Sequence, residues 1–432
     1  MSARRAAAGR GPAGRSAKPA RKRAPRPAAR PAPVEYRVLV VATLCLIAFG
    51  AVMVYSASSA RNLLSGHGNG TQYFVRTVIF ALVGLVAMQA AARVSLDTVR
   101  RLTPALLLAA MFLVLCVLVP GVGIEVNGAR RWIGPGSLSF QPSELLKIAL
   151  VLYAVGYCAT ARPARLRTLG GIMPVLLALG AGCVLVAAEP DLGTSMVVAG
   201  SVAAVLIAAG VPIRNLAMVA GAAALVLLLL ALAEPYQRAR LTSFLNPWAD
   251  SGGAGFQAVQ GQIALGSGGL FGVGLGESVQ KVFYLPEAHT DFILAVIGEE
   301  LGVAGILGVI ALYSMVLYGG LRTARNARGR YAKLLAAGLT SIILCQATLN
   351  IFVVLGLAPL TGVPLPLISY GPTNLCVLLV AMGLLLNVSR GGSVHLRAVP
   401  EGRGRRERPA GGGRDGGSRR SGADRGRRRA AG

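Results

Sequence analysis

Negative charge is scarce in this sequence. Asp and Glu number 17 among 432 residues, against 44 Lys and Arg, and charged residues of both signs make up 14%. Soluble domains carry about 25%, so a soluble enzyme of this length is a poor fit. Histidine is rarer still, with three copies, and the six cysteines are isolated, each inside an apolar run. No C-x-x-C pair exists, which argues against a disulfide framework and against a zinc site. The Gly-rich stretch Gly261–Gly276 contains no phosphate loop and no in-register G-x-G-x-x-G, so a nucleotide cradle is not expected there. A disordered chain is excluded by the opposite property. Hydrophobic residues reach 54%, and the mean hydropathy is +0.61.

Those residues fall in long runs. A spanning helix needs about 20 mainly apolar residues. Ten runs qualify, at 38–57, 74–92, 102–119, 143–160, 171–187, 193–210, 215–232, 291–318, 334–358 and 366–388. The expected fold class is therefore all-α, a polytopic integral membrane protein. Orientation follows from Lys and Arg in the short loops. With the N-terminus inside, cytoplasmic loops hold twelve of them and short outer loops hold three, Arg61, Arg130 and Arg131. Both termini are then expected in the cytoplasm.

Most of the net charge of +27 sits at the ends; residues 1–37 and 390–432 together contribute +19. Both tails are expected to be disordered. Their arginines suit anionic membrane lipid or a cytoplasmic partner. No aromatic residue is interleaved in the C-terminal tail, so nucleic acid is not the expected partner. The first run reads as an uncleaved signal anchor rather than a signal peptide. The remaining segment, 38–389, contains one long loop, 233–290, whose Gly-rich apolar stretch favours a packed, membrane-grazing cap.

The few acids are unevenly placed. Among the twelve in the core, only Asp97 falls in a cytoplasmic loop; most of the rest lie on or near the outer side. Glu144, Asp191 and Asp291 share a setting, each beside a proline where a helix is expected to start. The plain structural explanation is that such acids cap free N–H groups and complement the helix dipole. Three at one membrane surface also suit chemistry on an anionic ligand. Lys147 lies three residues after Glu144, on the same helical face and about one turn inside the membrane. An ionisable residue there is a functional candidate, with snorkelling or pairing to Glu144 as the alternative. The adjacent Arg130 and Arg131, next to Trp132, could grip a phosphate or diphosphate. His289 lacks companion ligands, so a cation held by outer carboxylates is easier to defend than a histidine metal site.

Ordered motifs now converge. They are Met53-Val-Tyr-Ser-Ala-Ser58, Asn127-Gly-Ala-Arg-Arg-Trp132, Phe140-Gln-Pro-Ser-Glu-Leu-Leu-Lys147, Glu189-Pro-Asp-Leu-Gly-Thr-Ser195, the Gly266–Gly276 stretch, Tyr284-Leu-Pro-Glu-Ala-His-Thr-Asp-Phe292, Gly298-Glu-Glu-Leu-Gly302 and Pro364-Leu-Pro-Leu-Ile-Ser-Tyr-Gly371. In this order they resemble the SEDS family (shape, elongation, division and sporulation proteins) of FtsW, RodA and SpoVE type, across about 40–390. The resemblance implies a ten-helix bundle with a large outer loop before the eighth helix. It implies polymerisation of lipid II, the undecaprenyl-diphosphate-linked disaccharide-pentapeptide, beside a class B penicillin-binding protein and divisome or elongasome proteins. The family's catalytic aspartate maps onto Asp291, which would help deprotonate the acceptor hydroxyl. Arg130, Arg131 and Lys147 are then candidates for the diphosphate. Glu144 and Asp191 would position substrate or, with Asp291, hold a divalent cation such as Mg or Mn. Trp132, His289 and Ser369 are further substrate-contact candidates.

The wording around Asp291 looks more like the division branch than the elongation branch. One departure is visible. Pro372-Thr373-Asn374 follows Tyr370-Gly371 where the family has Gly and small polar residues, and Pro372 is expected to kink the last helix near its outer end. A lipid II flippase, a scaffold and an ion-coupled transporter are the rival functions. The gathering of polar groups at one face favours surface chemistry.

Overall fold

The computed structural model describes residues 33–64, 70–126, 129–134, 139–233, 243–253, 255–282 and 285–391. Most of both expected tails, and the motif residues Asn127, Gly128 and Tyr284, lie outside the described residues.

Apolar helices form at all ten expected runs. They are α1 (Val34–Leu64), α2 (Gln72–Ala91), α3 (Leu96–Leu118), α4 (Pro142–Thr160), α5 (Leu169–Ala188), α6 (Leu192–Ala208) and α7 (Ile213–Ala233). A shorter helix, α8 (Phe256–Ser267), precedes α9 (Ile293–Asn326), α10 (Arg330–Val354) and α11 (Pro372–Ser389). Among the described residues, eight are long and apolar enough to cross a membrane; α6 and the described part of α7 are apolar but shorter. The helical fold class holds, with one addition. The loop after α3 contains a hairpin, β1 (Ile124–Val126) against β2 (Ala129–Trp132).

The helices run alternately, so their ends collect in two layers. One layer gathers the starts of α2, α4, α6, α9 and α11. The other joins the described ends of the chain, with the Arg390 guanidinium 4.2 Å from the Tyr36 ring centroid. There Arg322 pairs with Glu35, and Arg330 donates to the Ala161 carbonyl at 2.8 Å.

Two irregular segments shape the first layer. The α10–α11 connection descends into the bundle. The Gly50 Cα approaches it so closely that a Cβ would stand 2.6 Å from Ile368 Cα, and Tyr313 Oη donates to the Pro366 carbonyl at 2.6 Å. The second is a break in α9 at Gly302, where φ is +64°. Broken helices strand backbone groups that must find other partners. Here the loop after α8 supplies them. Val273 and Gly274 N–H donate to the Glu299 and Glu300 carbonyls, and Val303 and Ala304 N–H donate to Gly269 and Leu270.

The last helix corrects an expectation. It begins at Pro372, and the preceding residues belong to the descending connection. Proline at a first helical position loses no bond, because that N–H would be unpaired anyway. Pro372 therefore starts α11 and does not kink it.

Candidate active site

Asp291 lies just ahead of α9, one residue before the N-cap Phe292. Its side chain is half-buried, and Thr290 Oγ1 donates to its Oδ1 at 3.2 Å. The backbone there is held from α10. Asn350 Nδ2 donates to the Asp291 carbonyl at 2.7 Å and to the Val363 carbonyl at 2.8 Å. A Cβ on Gly362 would lie 4.0 Å from Asp291 Oδ2, so the carboxylate faces the descending connection. That connection also meets α6: a Cβ on Gly193 would stand 2.7 Å from the Thr361 carbonyl. Glu287 and Leu367, one on each side of this contact, hold positive φ of 53° and 62°. Such backbone costs about 1–3 kcal/mol per residue and collects at functional sites.

A buried polar cluster lies beneath. Lys147 Nζ is 2.8 Å from Glu144 Oε2, with the two side chains 1% and 2% exposed. Lys147 also donates to Gln346 Oε1 at 2.7 Å, and Asn374 Nδ2 donates to Glu144 Oε2 at 2.7 Å. Gln346 Nε2 donates in turn to the Pro364 carbonyl at 2.9 Å. Glu144 thus does not cap its helix, as the dipole argument expected; it faces the bundle interior as half of an ion pair. Asp191 behaves as the cap it was expected to be, accepting from Thr194 N at 3.0 Å and from Gln141 Nε2 at 3.3 Å.

The hairpin carries the arginines. Arg130 pairs with Glu125 at 3.2 Å, both about half exposed, which is worth little in energy. Arg131 reaches the turn between α5 and α6, donating to the Glu189 carbonyl at 3.0 Å and to the Pro190 carbonyl. Trp132 is half-buried on β2 opposite Ile124. Beside them Glu189 is fully buried, with no hydrogen-bond partner for either carboxyl oxygen among the described residues. Burial pushes its carboxyl up to about 8; nearby Asp191 adds to the rise, and Arg131 opposes it.

His289 stands in an aromatic group, 4.6 Å from the Tyr73 ring and 5.6 Å from the Tyr370 ring. Burial raises the Tyr370 hydroxyl pKa, and Arg76 on α2 opposes that rise from hydrogen-bond distance.

The predicted residues divide accordingly. Glu144, Lys147, Asp191, His289 and Asp291 all border the descending connection or the elements bonded to it, and Arg131 clamps the adjoining turn. Arg130 stands apart on the exposed hairpin. Ser369 is buried, and its Oγ accepts from Leu365 N at 2.8 Å, closing a turn within the descending connection. The shared-cation reading of Asp291, Glu144 and Asp191 is also corrected. Among the described residues, no three His, Cys, Asp or Glu side chains form a set that could hold a metal ion. Glu144 Oε2 already pairs with Lys147 and accepts from Asn374, and Asp191 accepts from Thr194 and Gln141.

Several participants escaped the sequence reading. Gln346, Asn350 and Asn374 are amides inside apolar helices, and that oddity was the available signal. Arg76 sits just inside α2 for the same reason. Lys281 belongs to a second buried cluster. Its Nζ lies 2.7 Å from Glu300 Oε1 and donates to Ser56 Oγ at 3.1 Å, while Glu299 accepts from Ser278 and from Val279 N. Nothing in the local sequence links Lys281 to Ser56.

Polar side chains gathered around one layer of an apolar helical bundle, with a connection descending among them, define a multi-pass membrane protein. The family model described as "Cell cycle protein", spanning FtsW, RodA and SpoVE, matches residues 36–393. The chain belongs to that family. It is 39% identical over 355 residues to the stage V sporulation protein E of Bacillus subtilis, covering 82% of this chain and 96% of the relative. It is 39% identical over 366 residues to the probable peptidoglycan glycosyltransferase FtsW of Legionella pneumophila, covering 84% and 93%. Among solved structures, a chain described under "Structural coordination of polymerization and crosslinking by a peptidoglycan synthase complex" superposes with a TM-score of 0.68 at 30% identity, covering 82% of this chain and 96% of that one. The rod shape determining protein RodA of Thermus thermophilus gives 0.60 at 29%, covering 82% and 95%.

Proposed function

We propose that this FtsW-type peptidoglycan glycosyltransferase polymerises lipid II at the outer face of the bacterial cytoplasmic membrane, with Asp291 as general base. The observation that carries the proposal is the held position of Asp291. Its carboxylate is half-exposed, while Asn350 ties its backbone to the descending connection. A base must be near the hydroxyl it serves and fixed there. In the reaction the acceptor sugar hydroxyl attacks the anomeric carbon of the donor. The new glycosidic bond forms as the bond to undecaprenyl diphosphate breaks, and the hydroxyl proton goes to Asp291.

The departing diphosphate needs positive charge. Arg131, half-exposed at the α5–α6 turn, is the candidate to supply it, with Arg130 farther out on the hairpin. Lys147 is closed off from solvent, so it acts from beneath as a fixed charge. His289 and Trp132 offer ring surfaces to a sugar. The arginine-rich layer that joins the chain ends is the cytoplasmic one under the positive-inside rule, which puts both termini inside. A class B penicillin-binding protein is the expected partner. The complex named in the matched structure couples polymerisation to crosslinking. The Glu-Ala-His-Thr-Asp291 wording and the FtsW relatives favour septal synthesis over elongation.

The test is a lipid II polymerisation assay in detergent with purified chain, with and without its class B penicillin-binding protein. Wild type is expected to make long glycan and Asp291→Ala none, with equal membrane insertion. Full activity of the variant removes Asp291 from the mechanism. Lipid II crossing vesicles without polymer would replace the enzyme by a flippase.

A further inference from the structure

The loop after α8 is apolar, exposed and rigidly pinned, which is an unusual combination. Residues 256–276 contain no charged residue and no histidine. Within them Leu270, Phe271 and Leu275 are 68%, 84% and 58% exposed. Exposed apolar side chains on a loose loop need no explanation. This loop is not loose, because four backbone hydrogen bonds fix Gly269–Gly274 to the break in α9. Its glycines permit that approach. A Cβ on Gly272 would stand 2.1 Å from the Glu300 carbonyl, and one on Gly268 1.9 Å from the Gly298 carbonyl.

The height of this attachment can be read from the helices. Glu300 accepts from Ser56 on α1 at 2.6 Å. Ser56 lies 19 residues beyond Arg37, which is about 28 Å along a helix. Arg322 lies 22 residues beyond Glu300, about 33 Å. Both distances match the roughly 30 Å hydrocarbon core of a bilayer. With the arginines at one boundary, the pinned loop lies at the other.

Its surroundings at that height are set by α9. Val303 and Ala304 donate to the loop carbonyls, and Val303, Leu307 and Ile310 are exposed on α9 itself, at 45%, 58% and 39%. A membrane-spanning helix turns such residues to lipid. Leu270 and Phe271, exposed on the loop bonded to Val303 and Ala304, add apolar surface at that level. The first charge after them is the exposed Glu277, where the chain leaves the stretch.

We propose that residues 268–276 are an interfacial anchor, with Leu270, Phe271 and Leu275 inserted among the acyl chains of the bilayer. Apolar side chains at the acyl boundary lie in the plane of the interface and bind it through the area they bury. The Lys281–Glu300–Ser56 network closes the loop on its protein side, so the anchor and the segment leading to Asp291 share one fixed base. The segment that carries Asp291 is thereby held at the plane where a lipid-linked headgroup meets water.

The experiment is photocrosslinking of the full-length chain in phosphatidylglycerol–phosphatidylethanolamine vesicles without added lipid II. The photoreactive residue p-benzoylphenylalanine replaces Phe271, Leu275, Leu307 or Ser251 singly. Intact-mass analysis is expected to show phospholipid adducts at 271 and 275 as at the α9 position 307, and their loss at the exposed turn position 251. Absence of lipid adducts at 271 and 275 while 307 labels overturns the anchor. So does adduct formation there only with a penicillin-binding protein, or only after a polyprenyl lipid is added. No polymerisation is measured, so failure of the proposed activity leaves this outcome readable.

Discussion

Replacing Lys147 by methionine separates two roles of one buried charge. The substitution keeps the apolar stem and removes the ammonium. Glu144, 2% exposed and 2.8 Å from that ammonium, then loses its counter-charge and keeps the Asn374 amide on Oε2. Breaking a buried pair from one side costs about 3–5 kcal/mol, because the remaining charge is stranded away from water. For a chain of this size that is a fall on the order of 10 °C in melting temperature. Glu144→Gln strands Lys147 in the same way and is expected to cost as much. The double variant Lys147→Met/Glu144→Gln carries no charge and keeps an amide for Asn374. It is expected to melt within a few degrees of wild type, since neutral replacement of a whole buried pair is often tolerated. Differential scanning fluorimetry of the four proteins in detergent gives this cycle directly. Lipid II polymerisation by the same samples gives the second role. If the ammonium acts electrostatically on the diphosphate, the double variant regains stability yet remains slower by roughly 10²–10³-fold, the usual loss for one charge-stabilising group. Single variants as stable as wild type would refute the buried-pair energetics. A double variant with full polymerisation would refute the catalytic use of Lys147.

Three further outcomes follow from the geometry. Glu189 ordinarily would lose its proton near 4.5, and in the folded chain it holds it to about 8. The folded state therefore binds more protons between those values, and this group's contribution to stability falls as pH rises across the window. Glu189→Gln is expected to flatten that decline in melts taken from about pH 5 to about pH 9; an identical slope in both proteins would contradict the assignment. Gly302→Ala puts a Cβ 2.5 Å from Gly272 N at a φ of +64°, and should cost about 1–3 kcal/mol or more. Hydrogen exchange should show the Val273 and Gly274 amides losing protection, and unchanged protection there would show that the loop does not depend on the break. Pro372→Gly, at a first helical position, should shift stability by less than about 1 kcal/mol and leave polymerisation intact. A large loss in either would restore proline to a shaping role in the site.

The helices were legible because apolar length is a strong signal, and each expected run became a helix. Their ends were less so. Residues 366–371 read as the start of the last span because Leu367 and Ile368 are apolar, yet they descend inside the bundle and bury that surface against α1 and α9. The pair Glu144–Lys147 was visible from its spacing of three. The partners that complete it, Gln346 and Asn374, lie about 200 residues away on other helices, and no local pattern announces them. The turn that Ser369 closes onto Leu365 N was equally invisible, because no sequence pattern marked that connection as irregular. The three carboxylates suggested a shared cation only because their sequence settings were alike. In space each is already engaged by different partners.

One helix beside the site is short. At 17 residues α6 is about 26 Å long, roughly 4 Å less than a typical hydrocarbon core. The outward side chains of Met196 and Ile207 meet that deficit directly. A bilayer accommodates a short helix by thinning around it, at fractions of a kcal/mol per Å. A bilayer matched to α6 alone would be thinner than average by about that amount. Thinning around α6 would bring the surrounding headgroups closer to Asp191, the residue that caps this helix.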